Sequence, residues 1–177
     1  MRRASAAATA ATSEPRVETP RLVLRPIRSG DVERCVEILL AGGAAPGRDH
    51  VADFRDEVEH WTEHGFGPWV AEGRESGAIV GIIDVNYAGP GIVGIHPEEV
   101  EVGWMIDRAL WGRGLATEGG RAACEDAYER VGVDALVAYV RPDNLPSLRV
   151  VEKLGMTYDG DGRSREGEDV RIFRMRR

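Results

Sequence analysis

Residues 101–118 read Glu-Val-Gly-Trp-Met-Ile-Asp-Arg-Ala-Leu-Trp-Gly-Arg-Gly-Leu-Ala-Thr-Glu, and no other segment restricts the fold as tightly. The first half places Val102, Trp104 and Ile106 at period two, as a strand requires. The second half is punctuated by Gly112 and Gly114 and flows into a helical pattern. The order is therefore strand, short loop, glycine turn, helix. Glycines let a backbone approach a ligand closely, and the first amides of a helix lack intrahelical partners. Such a helix start binds phosphate oxygens. There is no third glycine in G-x-G-x-x-G spacing and no Gly-Lys-Ser/Thr for a triphosphate and its magnesium. The expected ligand is a pyrophosphate without metal; the alternative is a tight connection that binds nothing.

A second stretch, Arg141-Pro142-Asp143-Asn144-Leu145-Pro146-Ser147-Leu148-Arg149-Val150-Val151-Glu152-Lys153-Leu154-Gly155-Met156, shifts the balance toward the ligand. Together the two stretches resemble the GNAT superfamily of acetyl-CoA-dependent N-acetyltransferases, most closely its RimJ/RimL-like branch. That family pairs a Glu-x-Gly-aromatic strand and a Trp-Gly-x-Gly-x-Ala-Thr-Glu turn with a later Asn-x-x-Ser and Lys-x-Gly-Phe/Met. The resemblance spans about residues 18 to 175 and implies an α/β fold. Its mixed, mostly antiparallel sheet would have about seven strands, a splayed central parallel pair and about four flanking helices.

Length and composition agree with one domain. At 177 residues the chain is long enough for a single core and short for two. No apolar run approaches the ~18 residues of a membrane span. A net charge of −7 argues against a broad nucleic-acid face and suits a cationic substrate better. Cys35 and Cys124 fall in helical patterns without a CxxC partner and read as buried, reduced thiols, which points to the cytoplasm.

Residues 1–17 carry no apolar block and read as a disordered leader, so the domain is expected over 18–177. Strands are expected at Arg21–Pro26, Gly67–Glu72, Ala78–Tyr87, Val100–Ile106, Leu136–Val140, near Thr157 and at Val170–Met175. Helices are expected at Val32–Leu40, capped by Ser29 or Asp31, then at Val51–His64, Leu115–Val131 and Pro146–Leu154. In the family's fold the first two helices flank the acceptor site, so the loop near residues 41–50 is expected to set selectivity. His60 and His64 lie four apart on a helix, but no third ligand accompanies them. They read as an exposed helix face, and no metal is expected.

Attack on a thioester needs a neutral amine, a polarised carbonyl and a proton for the departing thiolate. The resemblance implies Glu101 as base, with Glu166 and Glu168 as runners-up that would otherwise grip a cationic substrate. Ser147 stands where many GNAT enzymes place a tyrosine, and the RimJ/RimL-like branch shares this; it is expected to donate to the leaving sulfur, or else to cap the helix that follows Asn144. Asn144 is implied to hold the pantetheine arm. The backbone of Met105 and Ile106 would pair with it, and the amides of Gly112, Arg113, Gly114, Leu115, Ala116 and Thr117 would take the pyrophosphate. Trp111 departs from the Gln or Arg of the wider superfamily. The implied partners are acetyl-CoA and an amine acceptor: a ribosomal-type protein α-amine, or else a small amine or antibiotic. A non-catalytic acyl-CoA-binding domain is the alternative of another class, and homodimer formation is left open.

Overall fold

The computed structural model describes residues 14–44 and 48–177. Residues 1–13 of the expected leader and residues 45–47 of the expected selectivity loop lie outside the described residues.

Eight strands form one sheet: β1 (Val17–Glu18), β2 (Leu22–Pro26), β3 (Trp69–Gly73), β4 (Ile79–Tyr87), β5 (Val100–Ile106), β6 (Ala135–Val140), β7 (Thr157–Arg163) and β8 (Asp169–Arg176). Their order is β1-β2-β3-β4-β5-β6-β8-β7, and every neighbouring pair is antiparallel except β5–β6. The strand beyond the expected seven is β1, which sets Val17 opposite Leu24, so the sheet begins within the stretch read as leader. Among the described residues there are four α-helices, as expected: α1 (Val32–Ala41), α2 (His50–His64), α3 (Leu115–Asp126) and α4 (Leu145–Leu154).

Strand alternation divides the core in two. Leu22, Leu24, Ile83, Val85 and Val102 face Leu115, Ala122 and Ala123 of α3. The intervening residues Val70 and Ile82 face Cys35 and Ile38 of α1 and Phe54 of α2. The sheet is thus covered on both sides, and polar residues in register with Ile82 come to lie beneath α1 and α2.

Two expectations are corrected. The helix read as continuous to Val131 is α-helical only to Asp126, and Ala127–Val131 form a π-helical turn. There the amides of Gly132 and Val133 both donate to the Ala127 carbonyl, at 2.9 and 3.2 Å, while the Tyr128 hydroxyl donates to the Met175 carbonyl. The widened turn lets Tyr128 reach β8. Asp31 precedes α1 but its side chain does not cap that helix. It instead accepts two hydrogen bonds from the Arg25 guanidinium, at 2.6 and 2.9 Å, and Glu72 takes the Arg25 Nε at 2.8 Å. Arg25 and Asp31 are only 9% and 8% exposed, so the pair ties β2 to the start of α1 inside the protein.

Removing one member of a buried ion pair strands the other, at a cost of about 3–5 kcal/mol. Arg25→Ala, which leaves Asp31 and Glu72 without their cation, is expected to lower unfolding stability by roughly that amount in urea denaturation, whereas Glu37→Ala, which breaks the exposed Arg34–Glu37 pair, changes it by under about 0.5 kcal/mol.

Candidate active site

β5 and β6 touch at one registered pair, Glu101 opposite Val137, and then part. Each remains paired on its other side, β5 to β4 as far as Ile106 and β6 to β8 as far as Val140. A gap therefore opens toward the carboxyl ends of the two parallel strands. It widens into a cleft of about 400 Å³ that collects Met105, Ile106, Gly112, Gly114, Leu115, Ala116, Thr117, Asn144 and Ser147. Glu101 and Arg113 are not among its lining residues. Glu101 stands at the point where the strands meet, and the Arg113 carbonyl is turned to Arg21.

Gly112 and Gly114 both have positive φ, 76° and 79°, and Gly114 is the N-cap of α3. The first intrahelical bond is Glu118 N–H to Gly114 O at 3.0 Å, so the three preceding amides have no helical partner. Glu118 does not compete for them. It accepts from the Thr19 hydroxyl at 2.6 Å and from the Arg21 amide and Nε at 2.8 and 2.6 Å. Burial would raise this carboxyl, yet the bonds from Thr19 and Arg21 hold it below its ordinary value. Arg21 Nη1 also donates to the Arg113 carbonyl at 2.8 Å, which fastens the turn from behind. At the turn's other end the Trp111 indole donates to the Ile106 carbonyl at 2.7 Å. That bond takes one lone pair of the Ile106 carbonyl and leaves the second lone pair and the Ile106 amide for the expected cofactor pairing.

On the far wall Asn144 is the N-cap of α4, its Oδ1 accepting from the Ser147 amide at 3.2 Å. The capping role therefore belongs to Asn144. The Ser147 side chain lines the cleft, and its hydroxyl makes no hydrogen bond among the described residues. Arg149 and Lys153, one helical turn apart on α4, line the cleft as well. They put positive charge beside the open amides.

On the α1/α2 face, Glu101 lies opposite Asn86 of β4, and Asp84 lies opposite Gly103. Burial, then the Asp84 charge, pushes the Glu101 carboxyl up to about 8, while Arg165 pulls it down. Burial also raises Asp84 and Glu57 of α2, and the Asp84 charge raises Glu57 further. The runners-up stand elsewhere: Glu166 pairs with Arg48 and Glu168 with Arg141, each at 3.3 Å on the surface. His60 and His64 are not simply an exposed face, because the His60 ring packs edgewise on Phe66 and Tyr87 with centroids 5.1 and 5.7 Å away. Burial pushes the thiols of Cys35 and Cys124 up to about 12.

Sequence reasoning did not single out Glu57, Asp84, Asn86, Arg21 or Arg149, and took Lys153 only as part of the Lys-x-Gly motif. Arg149 and Lys153 were detectable as an i, i+4 basic pair on a helix. Asp84 and Asn86 alternate with Ile83 and Val85, a pattern that ordinarily means a wet sheet face.

The chain matches the family model for the acetyltransferase (GNAT) domain over residues 21–157. It belongs to the GNAT family. Uncharacterized protein YkkB of Bacillus subtilis is 32% identical over 105 residues, 55% of this chain and 55% of that protein, so the chain matches about half the length of this relative. The crystal structure of an acetyltransferase from Agrobacterium tumefaciens is 29% identical, covers 93% of this chain and 96% of its own, and superposes with a TM-score of 0.79. RimL, a ribosomal-protein α-N-acetyltransferase in complex with coenzyme A, shares the fold with a TM-score of 0.72 at 15% identity, covering 92% of this chain and 98% of its own. Among the described residues no helix is long and apolar enough to cross a membrane.

A carboxyl raised on folding makes the folded GNAT domain bind more protons than the unfolded chain above the unfolded pKa of ~4.3. Stability from Glu57 and Glu101 therefore falls as pH rises through their folded values. Between pH 7 and 9 the lowered carboxyls, Asp31, Glu99 and Glu118, no longer titrate. The thermal midpoint is expected to fall over that interval, and Glu57→Gln or Glu101→Gln to flatten the fall.

Proposed function

We propose that this domain transfers an acetyl group from acetyl-CoA to a primary amine by direct attack, the acceptor being a protein α-amino terminus of ribosomal type. The observation that carries this reading is that a phosphate-type turn and a carboxyl held near neutrality sit at opposite ends of one opened strand edge.

The residues present fit the donor. A side chain at Gly112 would meet no protein atom within 4 Å, so the turn lies open, and Arg149 and Lys153 offer charge to phosphates. Pairing with the pantetheine arm falls to the Ile106 amide and the second lone pair of its carbonyl on the open edge of β5, beside the Met105 side of the cleft. Asn144 offers its Nδ2, since its Oδ1 is engaged in the cap.

Glu101 is the base. With its carboxyl near 8 it accepts a proton from an ammonium group through water at little thermodynamic cost. An α-amine of pKa ~8 matches it, and is neutral in about a tenth of molecules at pH 7; a lysine of ~10.4 is neutral in roughly one of a few thousand. The neutral nitrogen then bonds to the thioester carbon and the carbon–sulfur bond breaks. The nitrogen's remaining extra proton passes to water, and the thiolate takes a proton from the Ser147 hydroxyl. That hydroxyl is restored by the proton the water received, so the one proton released overall is the one Glu101 took from the ammonium. The products are an amide and a free thiol, with one proton released. RimL lends the acceptor class its support through a shared fold and branch, and a small cationic amine is the second reading, favoured by the carboxylates around Glu101.

A thiol-release assay with acetyl-CoA, N-terminal peptides and small amines tests the reading. Glu101→Gln is expected to leave CoA affinity unchanged and to lower kcat by about 10²-fold or more. Gly114→Val forces a β-branched residue into a left-handed backbone and places bulk at the turn. It is expected to weaken CoA binding at least ~10-fold, read by calorimetry. Normal CoA affinity in Gly114→Val, or thiol binding with no release for any acceptor, would show a turn that is structural only or a domain that binds without turnover.

A further inference from the structure

We infer that the acceptor carries a second cationic nitrogen, seated on a wall formed by Glu57, Asp84 and Asn86 next to Glu101. The inference rests on the proposed acetyl transfer for the identity of the reacting amine, but not for the existence of the seat.

Three elements build the wall. Asp84 and Asn86 are two residues apart on β4 and share the face covered by α1 and α2. Asn86 is registered directly opposite Glu101. Asp84 is opposite Gly103 and its carboxyl lies against that glycine: a Cβ there would lie 3.4 Å from Asp84 Oδ2. Glu57 descends from α2 and interacts electrostatically with Asp84.

Among the described residues, four buried side-chain polar atoms have no hydrogen-bond partner: Glu57 Oε2, Asp84 Oδ1, Asn86 Oδ1 and His60 Nε2. The first three are oxygens of this one wall, and the fourth lies one turn along α2 from Glu57. Folded proteins satisfy nearly all such atoms, with protein groups or with ordered water, so three together on one wall mark a place where water or a ligand donor belongs. Because all three accept, the missing group must donate. Because two belong to carboxyls, it gains most by being positive. A proton shared between Glu57 and Asp84 would satisfy those two but leaves the Asn86 oxygen without a donor.

The protein's own cations near the wall are committed elsewhere. Arg48, which lowers Glu57, bonds Asp53 at 2.7 Å and Glu166 at 3.3 Å. Arg165, which lowers Glu101, donates to the carbonyls of Ala88 and Pro90 and to the Tyr139 hydroxyl. Neither donates to the three unpaired oxygens. The chemistry required is an ammonium or guanidinium a few bonds away from the reacting amine, as in an alkyl diamine or in a peptide whose second residue is Lys or Arg.

The test separates the seat from the turnover. In the CoA-bound protein, 1,5-diaminopentane is expected to raise the thermal midpoint while 1-aminopentane does not, and Glu57→Gln or Asn86→Leu should abolish the difference. Equal shifts from the two amines, or a difference that survives both substitutions, overturns the inference whatever the enzyme acetylates. In thiol release, peptides beginning Ala-Lys and Ala-Met, and the same two amines, distinguish the sources of the second nitrogen. Glu57→Gln should raise KM for the dicationic member of the preferred pair about 10-fold and leave the monocationic one within about 2-fold. Release at equal KM for both members of each pair would sink the inference while leaving acetyl transfer standing; a diamine shift with no release from any acceptor would do the reverse.

Discussion

Two parallel strands that meet once and then separate set the terms for everything around them. Past Glu101 and Val137, β5 keeps β4 and β6 keeps β8, so each strand is secured on one side and bare on the other. Bare backbone groups inside a protein need partners. A ligand that can lie in the gap as an extended chain supplies them, and the turn at Gly112 and Gly114 stands at the mouth to take its charged end. The same divergence puts Glu101 at the vertex, close to where an extended ligand must stop.

The electrostatics of the two ends are opposite. At the turn, positive groups gather: helix amides, Arg149 and Lys153. Around Glu101 the buried groups are acceptors, and desolvation raises their carboxyls, which eases their protonation. The formal charge of −7 treats all of them as ionised. Burial makes part of that charge latent until a donor arrives, which is how an enclosed acidic surface remains compatible with folding.

Much of this was readable in the sequence, because the signals were local. Period-two alternation, the double glycine and the Asn-x-x-Ser start of α4 each record a constraint acting over a few residues, and they placed β5, the turn and α4 correctly. What escaped were properties of the assembled sheet. Asp84 and Asn86 follow the alternation of a half-wet strand, and only the packing of α1 and α2 above them makes that face interior. Asp31 looked like a helix cap because Ser-Gly-Asp before a helix usually supplies one; instead its carboxylate turns back to the buried Arg25 guanidinium and the Arg28 amide, away from the amides of α1. The helix ending at Val131 looked continuous because a π turn preserves its apolar face while changing its pitch.

The bond from the Trp111 indole to the Ile106 carbonyl joins the last residue of β5 to the entrance of the turn across a separation of five residues. Seat and strand end are thereby locked into a single rigid piece, reinforced from behind by Arg21. Under the proposed transfer such a piece works as a gauge: the turn and the vertex stand at a span set by the protein, so a donor anchored at the turn needs an arm of matching length for its acyl carbon to arrive beside Glu101. Thioesters on shorter or longer tethers would be rejected by reach alone, whatever their acyl group.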